Sequence, residues 1–196
     1  MAITSIKTEV HWNYFLAIEG DLDRLSRFVE FDENNFDCFS IEISRILLAS
    51  GAEVDVVCKQ LCKKLNPSSS ANSINRYRNE ICAAYPHIPD FEILLPKYGL
   101  TLKPWENWSQ LNSVPFWWTA YNKIKHHRDA EYKRANFKNA LNAIGGLFIM
   151  ALYLYKEKAK LGKLSPSPQL LQVDKEHYGG FSIGGYKSQY SIVYTL

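Results

Sequence analysis

Apolar residues recur along the first stretch, at Trp12, Phe15, Leu16, Leu22, Leu25 and Phe28, with acids and arginines between them. Spacings of three, four or their sums put one apolar stripe on a helix, so the pattern predicts a helix over 8–31, Gly20 notwithstanding. The polar run DENNFDCFS interrupts it and ends at Ser40, a side chain suited to capping a helix start. From there Ile43, Ile46, Leu47, Val54, Val57, Leu61 and Leu65 keep helical spacing as far as Asn66-Pro67, which predicts a long, largely buried second helix. PSSSANS reads as a connector, and Ser73 opens a third helix with Ile74, Tyr77, Ile81 and Tyr85 inward until Pro86 stops it. Between 90 and 106 the period shortens: FEILL and LTLKPW are β-prone runs around PKYG, which predicts a hairpin. Ser113 and Pro115 announce a fourth helix through FWWTAYNKIKHHRDA, and ANFKNALNAIGGLFIMALYLYKEKAKLG continues as a fifth to Gly162. Its run over 145–155 is expected in the core, and the Gly145-Gly146 pair to let another helix approach closely.

The implied fold is mainly α, an up-and-down bundle of about five helices. A small hairpin is inserted near 90–106 and an extended aromatic tail follows. Residues 1–164 form one domain, and 165–196 form a C-terminal arm or small hairpin packed on it. A chain of 196 residues, 46% of them hydrophobic, is enough for one core and short for two. The first residues lack the pattern of a secretory signal, and no apolar run is expected to reach the roughly 18 residues of a membrane span. Cytoplasmic location without membrane contact is the expectation. Cys38, Cys58, Cys62 and Cys82 are too scattered for a disulfide framework and read as reduced, mostly buried thiols. Cys58 and Cys62 lie one turn apart without a third ligand at zinc spacing, so no metal is expected. The Gly-Gly pairs at 145, 179 and 184 form no nucleotide-phosphate loop, and no cofactor is predicted.

Charge placement says more than the net +3. Residues 1–60 hold eleven acids and five bases, whereas 121–163 hold ten Lys or Arg and three acids. Either the two regions attract each other within the fold, or the later one offers an anion-binding surface. The densest polar string is Tyr121-Asn122-Lys123-Ile124-Lys125-His126-His127-Arg128. On a straight helix Trp118, Tyr121, Asn122, Lys125 and Asp129 share an arc of about 100°, flanked by His126 and Arg128. Such a face can hold a phosphate through Lys125, Arg128 and Lys123 while His126 exchanges a proton near neutral pH. The alternative is a solvated charged face.

This string resembles the motif of the HEPN superfamily, small helical-bundle proteins that carry an Arg, then a polar residue, often Asn, then a few residues and a His on a late helix. Asn122 and His126 stand at the family spacing; Tyr121 occupies the Arg position. The long second helix and the apolar helix directly after the motif are similar as well, over residues 8–160. The resemblance implies a homodimer with motif helices facing one cleft and metal-independent cleavage of RNA. His126 would be the acid or base, with Asn122 and Tyr121 in the catalytic set. It also implies a bacterial toxin-antitoxin or phage-defence setting with an antitoxin or other defence partner. A tyrosine lacks the rigid two-donor fork of an arginine, so the resemblance leaves both an endoribonuclease and a cleavage-deficient RNA binder open.

Three further features complete the reading. Glu53 interrupts the apolar run of the second helix; it either orients His126 or binds Lys125, or else it points to solvent or pairs with Lys59. Trp105, Trp108, Trp117 and Trp118 either stack unpaired bases or, for at least two of them, form core. A noncatalytic protein-interaction or dimerisation module, and a small-molecule pocket beneath the tryptophans and the hairpin, are the other readings.

Overall fold

The computed structural model describes residues 8–183 and 190–196. Among them are six helices: α1 (Val10–Leu25), α2 (Ile41–Leu65), α3 (Ile74–Ala84), α4 (Phe116–Glu131), α5 (Phe137–Leu154) and α6 (Lys156–Lys160). Two small antiparallel sheets accompany them. The first is ordered β2 (Leu100–Leu102), β1 (Ile93–Leu95), β3 (Gln172–Val173), and the second pairs β4 (Tyr178–Ile183) with β5 (Tyr190–Tyr194). The fold is thus mainly α, with a β-hairpin insertion and a stranded tail.

The central pair is α2 against α5, flanked by α1 and α4, each touching both; α3 leans on α2. Ser40 caps α2 by accepting the Ile43 N–H at 3.2 Å, and Asn136 caps α5 by accepting that of Asn139 at 3.0 Å. Each cap satisfies one of the donors a helix start leaves unpaired. Every residue from Ala140 to Leu154 is buried, so α5 is apolar all round because it is packed all round. Its 18 residues have a mean hydropathy of 1.3, as long and apolar as a minimal membrane span. The expectation that no apolar run reaches that length is therefore corrected, although 89% of this helix is enclosed by the rest of the fold.

Several boundaries differ from expectation for local reasons. The first helix ends at Leu25 rather than 31. The Ser26 hydroxyl donates to the Asp23 carbonyl at 2.7 Å and the Phe28 N–H closes a tighter turn on Leu25, side-chain competition that favours a helix end. Phe28 is consequently 85% exposed, and Phe31 enters the core instead, its ring 4.6 Å from those of Tyr98 and Phe137. The fifth helix breaks at Tyr155 before α6, and Lys64 Nζ donates to the Leu154 carbonyl at 2.7 Å, near that break. Gly162 then takes the left-handed φ of 59° that ends the segment. Gly146 lets the start of α4 approach closely through Trp117, whereas Gly145 meets the end of the hairpin. Gly145 faces Pro104 and Leu102, and Gly146 faces the indoles of Trp117 and Trp105, where a Cβ would lie 3.0 and 3.3 Å from ring atoms.

All four tryptophans of the cluster are buried. Trp117 Nε1 donates to the Pro104 carbonyl at 2.7 Å, Trp105 Nε1 to that of Gly146 at 3.3 Å, and the Trp105 and Trp108 rings lie 4.1 Å apart. Trp105, Trp108 and Trp117 are core, and Trp118, 7% exposed, borders a small hollow on the α4 surface.

The C-terminal arm is tied down more firmly than a loose appendage. Glu19 of α1 is 3% exposed, and its carboxylate accepts the backbone N–H groups of Gln169, Leu170 and Leu171 at 2.9 to 3.1 Å. The segment it holds runs directly into β3, which pairs Val173 with Ile93 and turns the predicted hairpin into three strands. The second Gly-Gly pair of the tail and the start of YKSQYSIVY fall at 184–189, outside the described residues, as does the segment 1–7.

Candidate functional site

The start of α2 and the end of α4 run side by side and leave a groove of about 990 Å³ between them. From α2 come Ile41, Ser44, Arg45 and Leu48; from α4 and the turn after it come Ile124, Lys125, His126, Arg128, Asp129 and Tyr132. This opposition follows from Gly51, where a Cβ would sit 2.5 Å from two ring carbons of Tyr121. The missing side chain lets the Tyr121 ring lie flat on α2 and draws the two helices together. Tyr121 is 5% exposed and lines neither the groove nor its neighbour, so its candidate catalytic role is corrected: it is the interior wedge of the crossing.

Beyond Tyr121 the predicted cations emerge. Lys125 Nζ stands 5.7 Å above the Tyr121 ring, a cation–π contact that steadies the ammonium at the groove wall. His126 is exposed and borders two hollows, the groove and a smaller one of about 390 Å³ shared with Trp118, Asn122, Lys123 and His127. At His127 the backbone leaves helical values, with φ −140° and ψ 42°. The arc expected of a straight helix is therefore broken there, yet Arg128 and Asp129 still line the groove of Lys125 and His126.

Not every predicted partner joins them. Asn122 Nδ2 donates back to the Trp118 carbonyl at 3.0 Å and faces the smaller hollow. Lys123 lies there too, 3.7 Å from Glu131. The hydrogen bond from Arg134 holds the Glu131 carboxyl below its ordinary value against a smaller opposing effect of burial, with Lys123 adding to the lowering. Lys123 is thus committed within its own helix end. Glu53 neither orients His126 nor meets Lys125 or Lys59. Its Oε1 is 2.5 Å from His11 Nδ1, and Gln60 Nε2 is 2.7 Å from His11 Nε2. The carboxylate on the buried side of α2 found its partner on α1, while Lys59 pairs with Asp55.

Two groove residues were missing from the sequence reading. Arg45 supplies a guanidinium from α2, bonded at 2.8 Å to Glu42 on its own helix. Ser44 is 2% exposed and its hydroxyl has no hydrogen-bond partner, although buried hydroxyls are normally paired. A signal for both existed: Ile41, Ser44, Arg45 and Leu48 repeat at three- and four-residue steps beside the core stripe. The groove thus offers Lys125 and Arg128, which make no ion pair among the described residues, Arg45 already paired with Glu42, one imidazole and one acid, Asp129.

Cys58 and Cys62 are buried free thiols, and Cys38 and Cys82 are half-buried. Burial pushes the Cys58 thiol well up and that of Cys62 to about 12, which leaves both un-ionised and unreactive near neutral pH. Among the described residues no group of three or more His, Cys, Asp or Glu is placed to hold a metal ion. Comparison of the chain with protein-family models, with curated proteins and with solved structures finds no match.

Proposed function

We propose that the α2–α4 groove binds the sugar–phosphate backbone of RNA, in a HEPN-like protein that acts as a metal-independent endoribonuclease or its cleavage-deficient relative. The observation that carries this reading is the convergence of Arg45, Lys125, Arg128 and His126 on one groove. Three cations against two acids, Asp129 and the Glu42 bonded to Arg45, favour an anion, and a guanidinium can engage a phosphate with two parallel hydrogen bonds. Arg45 supplies from a neighbouring helix the fork that Tyr121 cannot.

His126 is the group suited to proton transfer. Its unprotonated ring would take the ribose 2′-hydroxyl proton as O2′ bonds to phosphorus. The P–O5′ bond then breaks, leaving a 2′,3′-cyclic phosphate and an O5′ that must itself be protonated. The groove of one chain holds a single imidazole, so cleavage calls for a second copy to bring the acid, and a homodimer belongs to this reading. The toxin-antitoxin or phage-defence setting rests on the family resemblance alone. The second reading, a protein-interaction module, is favoured by Ile41, which is 70% exposed at the groove edge.

The test is single-stranded RNA incubated in EDTA with wild type, His126→Ala and the Arg45→Ala/Lys125→Ala/Arg128→Ala variant. Expected are salt-sensitive binding that the triple variant loses, and, if the chain cleaves, cyclic-phosphate ends that His126→Ala abolishes while binding persists. Equal affinity of wild type and triple variant would remove the RNA reading and leave the interaction module.

A further inference from the structure

Away from the groove, the first sheet and the end of the arm enclose a hollow of about 860 Å³, a size that suits a small molecule. Asp90, Glu92 and Leu94 form one wall, the turn 174–177 another, and Tyr153 of α5 and Leu196 complete it. The turn is rigid. Asp174 accepts the N–H groups of Glu176 and His177 at 2.8 and 3.1 Å and lies 2.9 Å from His177 Nδ1. The His177 ring is stacked 3.7 Å from that of Phe91. Burial would raise the Asp174 carboxyl, but the bonds from His177 prevail and hold it below its ordinary value.

Two of the four carboxylates here are already matched, Asp174 by His177 and Glu92 by Lys103 at 2.9 Å. Asp90 and Glu176, from opposite walls, have no ion pair or side-chain hydrogen bond among the described residues. They outnumber the one uncommitted ammonium, that of the exposed Lys175; His87 stands at the rim. The independent observation is Tyr153. It is 4% exposed, its ring lies 4.5 Å from that of Tyr85 with Lys156 Nζ 5.7 Å from its centroid, and it lines this hollow; its hydroxyl makes no hydrogen bond among the described residues. Burial pushes its ionisation up to about 12, so near neutral pH it is a neutral group that can accept an N–H.

We infer that this hollow binds a short aliphatic amine in its ammonium form. Asp90 and Glu176 balance the charge, the Tyr153 hydroxyl accepts one N–H, and Leu94 and Leu196 lie along the methylenes. Neither His126 nor the α2–α4 groove takes part.

The test is calorimetric titration of nucleic-acid-free protein with 1,4-diaminobutane, and with butane-1,4-diol as the uncharged counterpart. Saturable binding of the diamine but not the diol is expected. Tyr153→Phe, which keeps the ring, should weaken it by about tenfold, as loss of a hydrogen bond to a charged group does. The exposed-site variant Asp90→Asn/Glu176→Gln should abolish it, and His126→Ala should leave it unchanged. A linear diamine titration, equal binding of the diol, or wild-type affinity in the Asp90/Glu176 variant would each overturn the assignment. Should Tyr153→Phe fail to fold, that last variant decides alone.

Discussion

Tyr121 shows how one position can be read for chemistry and turn out to serve packing. Its ring fills the notch left by Gly51, and with Trp117, Ala120 and Ile124, all buried, it completes an inward stripe at steps of three and four. That stripe was present in the sequence, yet Tyr121 also stands where the motif that the 121–128 string resembles has its arginine. Placing that arginine at 121 should therefore harm the protein. Tyr121→Arg would bury a guanidinium with no carboxylate opposite, and an uncompensated buried charge costs about 3 kcal/mol or more. A lowered denaturation midpoint with no gain in RNA cleavage is expected; unchanged stability would show that position 121 can turn outward. Gly51→Ala should lose about 1 to 3 kcal/mol through the clash with the same ring. Combining it with Tyr121→Ala should recover part of that loss, because the two changes share one contact.

At the scale of elements, one carboxylate holds three successive N–H groups of the arm, beside the pairing of β3 with β1. Glu19→Ala would strand the buried N–H groups of Leu170 and Leu171 and the part-buried one of Gln169, each costing about 1 to 3 kcal/mol when unpaired. Hydrogen exchange over 168–173 should quicken before that of α2 and α5, since the segment leading into β3 then loses its bonds to α1. Uniform acceleration would mean that arm and bundle unfold together. The helices were legible because burial imposes a period on many residues, and α2 and α3 fall within one residue of where the apolar spacing puts them. The third strand was not legible, since Gln172 and Val173 are too few to show alternation and their partner Ile93 is far away in sequence. Glu53 illustrates the same limit at a site: periodicity told that its helix was buried, but only the packing of α1 on α2 brought His11 to it. Lys125, His126 and Arg128 were legible as a group because they share one helix, whereas Arg45 required knowledge of which helix lies opposite.

For the molecule as a whole, the uneven charge along the chain resolves in two ways. Part of it is internal attraction, as where Lys158 of α6 pairs with Glu9 just ahead of α1. The remainder, at the α4 end, is not paired with the acids of the early chain: Lys125 and Arg128 line the groove with Arg45 and make no ion pair among the described residues. A surface of this kind has a quantitative signature in salt. If Arg45, Lys125 and Arg128 each displace one counterion from single-stranded RNA, the logarithm of the binding constant should fall against that of salt concentration with a slope of about −2. Each alanine substitution at these three should make that slope shallower by about 0.7. Lys160→Ala, on α6 and outside the groove, should leave it unaltered. A slope equally sensitive to Lys160 would mean that RNA is held by diffuse positive charge and not by the groove. A slope near zero with persistent dimerisation would instead assign this face to another copy of the chain, with Ile41 and Leu48 as its apolar contacts.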